Sequence, residues 1–284
     1  MGPVREIFVF SSTRDVVDDG FVVPILAEPL ERLAARAAAL GFDGLEFLPN
    51  PDAIPSAEDL RARADEAGIR VGVINSGRMA ARGYALLHRD PARRAASIAI
   101  YKHFIDLAGE LGARVGLGMA RGDSTIALSG PDLPSIMRDV FGEIGAHAAR
   151  AGSLVMLEPA DPGYVAVVLR VREAAEQARL TASPGFSIML DTYQLDQIED
   201  SYEEGFAAAG GKASHIHLYD PKHWPPGVGP ERLDWARIRA AMERYGFSGS
   251  GSMVLAPEGD REALARAAVA FVRERLMGDS ADAA

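Results

Sequence analysis

Ala151-Gly152-Ser153-Leu154-Val155-Met156-Leu157-Glu158 places a helix end, a glycine stop, a short apolar strand and a carboxylate in consecutive positions. Residues 133–151 before it have helical composition, and a glycine at the end of such a run fits the left-handed cap that closes a helix. The four-residue run Leu154 to Leu157 is too short for a helix and reads as a buried strand of the kind found in parallel sheets. The unit then recurs. A helix over 165–180 precedes an apolar strand over 186–190, again followed by an acid, Asp191. A further helix over 198–209, ended by Gly210-Gly211, leads to Ser214-His215-Ile216-His217-Leu218-Tyr219-Asp220. There a period of two turns His215, His217 and Tyr219 to one face and Ile216 and Leu218 to the other.

The same alternation continues in both directions. Upstream, strands are expected at 4–10, 45–48, 69–74 and 113–119, with helices over 27–40, 57–67 and 90–111. Asp90 is placed to cap the last of these, and Pro91 falls where a first-turn proline is tolerated. A long polar loop is expected over 11–20, Asn75-Ser76-Gly77 reads as a turn, and Arg121 and Asp123 fall in the loop after the fourth strand. Downstream, a helix over 233–245, a strand over 252–256 and a helix over 261–276 precede a polar tail from about 277. Eight strands alternating with helices, without a linker or a change of composition, predict one α/β domain over 1–284, a single (β/α)8 TIM barrel. A doubly wound sheet is the competitor. It lacks its glycine-rich phosphate fingerprint, since Ser11-Ser12-Thr13-Arg14 follows the first strand.

With 48% hydrophobic and 25% charged residues, the 284-residue chain has the composition of a soluble globular protein with a sizeable core. It contains no cysteine, which removes disulfides, thiolate metal sites and a cysteine nucleophile. A formal charge of −10 disfavours non-specific attraction to a nucleic-acid backbone. Arg5 and Glu6 interrupt the short apolar start, so no secretory leader is expected, and nothing reaches the roughly 18 apolar residues of a membrane span. A cytoplasmic location is the default expectation, with neither nucleic acid nor membrane as partner.

In a barrel of this kind, polar groups at the carboxyl ends of the strands converge on one face. Three consecutive strands deliver a metal-ligand type there: Glu158, Asp191 and His217. Two carboxylates and an imidazole suit Mn²⁺, Zn²⁺, Co²⁺ or Mg²⁺, with positions left for substrate oxygens; Mn²⁺ is the first expectation. Taken singly, each acid is a strand-end salt bridge or a helix cap. Their recurrence at equivalent strand ends favours one cation. Glu46, an acid within the apolar second strand, is either a satisfied strand-end carboxylate or a pocket residue that contacts substrate.

The runs Leu157-Glu158-Pro159, Met189-Leu190-Asp191-Thr192-Tyr193-Gln194 and His215 to Asp220, followed by Pro226-Gly227-Val228-Gly229, Leu233-Asp234-Trp235 and Tyr245-Gly246-Phe247-Ser248-Gly249, resemble the xylose isomerase-like TIM-barrel superfamily. The helix from His88-Arg89-Asp90-Pro91 to Leu111-Gly112-Ala113 is similar to the one before strand four in that family. Ketose 3-epimerases, hydroxypyruvate isomerases and inosose-handling enzymes are the nearest branches in style. The resemblance implies one divalent cation held by Glu158, Asp191, His217 and a glutamate from strand eight. That strand reads Met253-Val254-Leu255-Ala256-Pro257-Glu258, so the last ligand is either Glu258 or is missing at Ala256.

The resemblance also implies proton abstraction beside a carbonyl, through an enediolate, with Glu158 and Glu258 as acid/base groups on opposite faces of a small polyhydroxy carbonyl substrate. The chain departs from the family twice more. Gln194 stands where sugar-epimerising relatives have a histidine, and Lys222-His223-Trp224 where they often have an arginine. Gln194, His223 and Trp224 are therefore expected as substrate contacts. The expected function is a metal-dependent isomerase or epimerase of a keto sugar, inosose or hydroxy keto acid. A metal-dependent dehydratase or lyase and a catalytically silent sugar-binding barrel are the alternatives. An abasic-site nuclease is disfavoured by a supply of only six histidines and by the acidic balance. Relatives are often dimers or tetramers, so a homo-oligomer is an open expectation.

Overall fold

The computed structural model describes residues 8–14, 26–253 and 259–277. Its strands are β1 (Phe8–Arg14), β2 (Leu26–Ala27), β3 (Gly44–Phe47), β4 (Arg70–Asn75), β5 (Arg114–Leu117), β6 (Val155–Leu157), β7 (Phe186–Asp191), β8 (Ala213–His217) and β9 (Ser250–Met253). All pairings among them are parallel, in the order β1-β3-β4-β5-β6-β7-β8-β9, and β9 returns to β1 through the register Phe8↔Ser250 to Ser11↔Met253. Eight strands thus close on themselves, and the two-residue β2 pairs outside the ring against Thr13 and Arg14. The expected (β/α)8 TIM barrel is the fold found.

The helices are α1 (Leu30–Ala39), α2 (Ala57–Glu66), α3 (Gly77–Ala81), α4 (Pro91–Leu111), α5 (Leu133–Ala151), α6 (Val171–Thr181), α7 (Thr192–Ile198), α8 (Tyr202–Ala209), α9 (Trp235–Arg244) and α10 (Arg261–Val272). Their ends follow local chemistry. Asp90 Oδ1 accepts the N–H of Ala92 at 2.8 Å, and Gly112 and Gly152 close α4 and α5 with φ of 67° and 71°. The long α4 buries Tyr101, Phe104, Ile105 and Ala108 between the barrel and α5. No described helix is long and apolar enough to cross a membrane.

Several boundaries differ from the sequence expectations. Ser11–Arg14 belong to β1 rather than to a loop, because pairing with β3 carries these polar residues to Ser12↔Glu46 and Thr13↔Phe47; residues 4–7 lie outside the described residues. The helix expected from 165 starts at Val171, after Val168 takes a φ of 61° and Glu173 Oε2 accepts the N–H groups of Leu169 and Arg170. The helix expected over 198–209 starts only at Tyr202, as α8, and a separate short helix, α7, stands before it. Asp191 caps α7, the chain extends at Glu199, and Ser201 Oγ caps α8 through Glu204 N–H at 3.2 Å. Gly77 begins the short helix α3 where a turn was expected. Strand eight of the barrel, β9, begins at Ser250, two residues earlier than expected, and 254–258 lie outside the described residues.

Within the ring, Val73, Met156 and Met189 form a small fully buried apolar cluster, and Gly116 leaves room beside the Met189 sulfur. Arg114 reaches across from β5 to donate to the Ser214 carbonyl at 2.7 Å. Two residues further along, β4, β6 and β7 lead from that apolar cluster to Asn75, Glu158 and Asp191. This step from apolar to polar gathers these side chains at the carboxyl end of the barrel.

Candidate metal centre

Glu158, Asp191 and His217 come together at that end. His217 Nδ1 lies 2.8 Å from Glu158 Oε1 and 3.6 Å from Asp191 Oδ2. His217 and Asp191 are buried, while the Glu158 side chain keeps 14% exposure. The other ring nitrogen, Nε2, lies 3.2 Å from Glu46 Oε1. Glu46 is fully buried on β3; its Oε2 lies 3.2 Å from His215 Nε2, and Asn75 Nδ2 donates to Oε1. His215 Nδ1 in turn meets Ser250 Oγ at 2.7 Å. The two imidazoles cross edge to face, 5.6 Å between centroids.

Among the described residues, two groups of potential metal ligands result, Glu158–Asp191–His217 and Glu46–His215–His217, each with its donor atoms within 4.8 Å of one another. Their chemistry differs. In the inner group each oxygen of Glu46 has its own imidazole nitrogen, so N–H donors satisfy the carboxylate without an ion. In the outer group two carboxylates converge on one nitrogen, which carries at most one proton. A divalent cation with bonds of about 2.0–2.2 Å spaces its ligand atoms by about 3–4 Å, so the outer set fits such an ion.

The surroundings charge these groups in opposite senses. Burial alone raises the Glu46 carboxyl, but His217 and His215 outweigh it and hold it well below the carboxylate range. Burial alone lowers His217, yet Glu46 and Glu158, with the hydrogen bonds of Asp191 and Glu158, bring it well above its ordinary value. For His215 burial dominates and its value falls. Arg121, wholly buried near Glu158, is lowered by burial to about 10, and its guanidinium is committed to the carbonyls of Leu117, Val167 and Val168.

Asp191 is oriented from both sides. Its Oδ1 accepts the Gln194 N–H at 2.9 Å as the cap of α7, and the Tyr219 hydroxyl hydrogen-bonds to its carboxylate. Burial, then Asp191, raises that phenol well above its ordinary value. The Gln194 side chain is occupied as well: Oε1 accepts Asp161 N–H at 2.8 Å, and the amide donates to Tyr219. Glu158 has a different constraint. A Cβ on Gly118 would overlap Glu158 Oε2, so the carboxylate occupies space that this glycine leaves.

Beyond β8, Asp220 is buried and accepts the Gly227 and Leu233 N–H groups at 2.6 and 2.9 Å and Trp235 Nε1 at 2.8 Å. This anchors a loop in which Lys222 and His223 both have positive φ, 62° and 58°. The loop stacks His223 on Tyr219 with centroids 4.5 Å apart and planes 17° apart. Trp224 is half-buried and packs over Gly229, and its carbonyl accepts the Asp220 N–H. Of the expected site residues, then, Glu158, Asp191 and His217 meet directly, Glu46 lies behind His217, and Gln194 and His223 flank Tyr219. Glu258, with the alternative Ala256, lies outside the described residues.

Asn75, Ser250, Tyr219, Asp161 and Gly118 were not expected as site residues. For Tyr219 the signal was present in the alternation shared with the histidines. Asn75 ends a strand as Glu158 and Asp191 nearly do, but its side chain looked like turn chemistry.

The sequence matches the xylose isomerase-like TIM-barrel family over residues 34–275, and the chain belongs to that family. A D-psicose 3-epimerase from Clostridium cellulolyticum H10, solved with D-tagatose, is similar in structure over 94% of this chain and 99% of its own, at 20% identity and a TM-score of 0.77. A 3-keto-D-glucoside 4-epimerase from E. coli is similar over 94% and 99%, at 16% identity and a TM-score of 0.77. A protein described as an AP endonuclease, family 2, from Brucella melitensis is similar over 95% and 100%, at 17% identity and a TM-score of 0.71. At these identities the likeness is one of fold, and the choice of chemistry falls to the site.

Proposed function

We propose that this protein is a divalent-metal-dependent isomerase or epimerase of a small polyhydroxy carbonyl compound: a keto sugar, inosose or hydroxy keto acid. The observation that carries this reading is the convergence of Glu158 Oε1 and Asp191 Oδ2 on the single nitrogen Nδ1 of His217. Glu158, Asp191 and His217 would hold the cation, Mn²⁺ first among Zn²⁺, Co²⁺ and Mg²⁺, and Glu258 is the proposed fourth ligand. When bound, such an ion supplies Lewis acidity toward a carbonyl and a neighbouring hydroxyl oxygen.

The chain's own residues divide the remaining work. Glu158, 14% exposed against 4% for Asp191, is proposed to take a proton from the carbon beside the carbonyl. Glu258, in its protonated form, would donate its own proton to that carbon from the opposite face, and Glu158 would keep the one it removed. Asp191, held by the Gln194 N–H and the Tyr219 hydroxyl, acts as a fixed ligand. His223 and Trp224 form the substrate wall after β8. Gln194 serves the substrate indirectly, since its amide is spent on Asp161 and Tyr219.

A nuclease reading finds less support. His147 pairs with Asp106 at 2.7 Å and His88 Nδ1 accepts the Asp90 N–H at 2.9 Å, so neither adds to the centre, which has two imidazoles. The test is elemental analysis of the purified protein and of His217→Ala, together with deuterium uptake from D₂O into a panel of keto sugars, inososes and hydroxy keto acids. Metal content and exchange should both fall in His217→Ala; unchanged values would sink the proposal. Glu258→Gln should weaken metal binding and abolish epimerisation, while exchange through Glu158 on its own face persists.

A further inference from the structure

The described cavities and charged clusters outside the barrel mouth carry no comparable chemistry, but the buried chain behind His217 does. It runs Ser250 Oγ to His215 Nδ1 at 2.7 Å, His215 Nε2 to Glu46 Oε2 at 3.2 Å, and Glu46 Oε1 to His217 Nε2 at 3.2 Å. We infer that Glu46 is a positioning residue which, held by Asn75 and by the Ser250–His215 pair, fixes the tautomer and ring angle of His217 so that Nδ1 faces Glu158 and Asp191. This rests on the metal reading above and replaces the expectation that Glu46 touches substrate.

Donors and acceptors around Glu46 determine where the imidazole hydrogens sit. An ionised carboxylate only accepts hydrogen bonds, so each imidazole nitrogen facing Glu46 carries its hydrogen. Nε2 of His217 thus keeps its hydrogen toward Glu46, and a cation that displaces the proton the two carboxylates draw onto Nδ1 finds the lone pair of that nitrogen facing them. His215 is the Nε2–H form, so its Nδ1 accepts from the Ser250 hydroxyl. Asn75 allows no ambiguity: its Oδ1 accepts the Gly77 N–H at 2.7 Å, which leaves Nδ2 to donate to Glu46. Four strands, β3, β4, β8 and β9, therefore contribute one side chain or more to hold a single ring. A carboxylate on the distal nitrogen of a ligating histidine fixes its orientation and raises its basicity, and losing one commonly weakens metal affinity 10–100-fold.

The experiment uses the full chain loaded with Co²⁺, with affinity measured by chelator competition and the imidazole N–H protons followed by hyperfine-shifted NMR in water. In the wild type one exchangeable imidazole signal, that of His217 Nε2–H, should be seen and should exchange slowly. Glu46→Gln, which keeps the volume, should weaken Co²⁺ binding about 10–100-fold and speed exchange of that signal. Ser250→Ala should shift both in the same direction by less, and it serves where Glu46→Gln fails to fold. Unchanged affinity and exchange in Ser250→Ala and in folded Glu46→Gln overturn the inference while the metal reading stands. Two coordinated imidazoles in the wild type place the ion in the Glu46–His215–His217 group and also overturn it. A wild-type chain that takes up no Co²⁺ overturns the metal reading and this inference together.

Discussion

His223 stacks on Tyr219 with centroids 4.5 Å apart, on a backbone whose positive φ at both Lys222 and His223 is braced by the buried carboxylate of Asp220. Side chains held in sparsely populated backbone regions cluster where a protein needs a group in one place, and the bracing here is dense. His223→Ala should raise KM for the substrate while leaving kcat within a few-fold, with stability altered by less than about 0.5 kcal/mol at this partly exposed position. Steady-state kinetics beside a thermal melt decides it. An equal fall in kcat and kcat/KM would instead mark His223 as acting on the reacting atoms.

Tyr219→Phe removes the hydroxyl that joins Gln194 to Asp191 and leaves the Gln194 amide facing an apolar ring. A buried polar group deprived of its partner costs about 1–3 kcal/mol. The melting temperature should fall accordingly in the metal-free protein, and metal affinity should fall with it. A melt unchanged from wild type would show that the hydroxyl contributes nothing to the order of Asp191.

Gly118→Ala is the smallest change that disturbs Glu158, because the new methyl takes the space of Oε2. Oε2 is the end of a flexible, partly exposed side chain, so the carboxylate gives way at little cost to stability. Displacing a reacting group by about 1 Å costs on the order of 10²-fold in rate. The expected signature is a nearly unchanged melt with a marked loss of kcat. Wild-type kcat in Gly118→Ala would show that Glu158 is not fixed in the position found here.

Stability of the metal-free protein should depend on pH in a definite sense. Glu46 is depressed when folded, so its contribution is present above the ordinary carboxylate value and is lost as pH falls through the folded one. The lowered His215 adds a loss that begins as pH falls below about 6.5, where the unfolded imidazole gains a proton first. His217 is raised, so its contribution is full below about 6.5 and is lost as pH rises through its folded value. Metal-free melts should therefore be highest near about pH 6.5, the unperturbed histidine value. Added divalent cation should stabilise more at the alkaline end, where it no longer competes with the His217 proton. Stability that keeps rising with pH in the absence of metal would contradict the His217 shift.

The fold was legible because glycine stops and short apolar runs repeat along the chain, and parallel strands flanked by helices admit few architectures. Glu158, Asp191 and His217 were legible for a related reason: each breaks an apolar strand at its carboxyl end. The boundaries around 11–14 and 192–201 were not. Ser11–Arg14 look like loop by composition and become strand only through the ladder with β3, and Asp191 is both a site residue and the cap of a helix that periodicity missed. The partners of Glu46 were hidden for a deeper reason. His215 lies 169 positions from Glu46, and no local pattern encodes a hydrogen bond across that separation.

The packed plug of Val73, Met156 and Met189, with Arg114 spanning the ring to Ser214, closes the barrel beneath the polar end. The polar end is therefore reached from its own side of the barrel and not along the barrel axis. On the function proposed here, cation and substrate share one doorway, so they must enter in sequence, the ion before the molecule that covers it. Substrate then acts as a stopper: a chelator should strip the metal more slowly from the saturated protein than from the free one, and the ratio of the two rates measures how completely the doorway is shut.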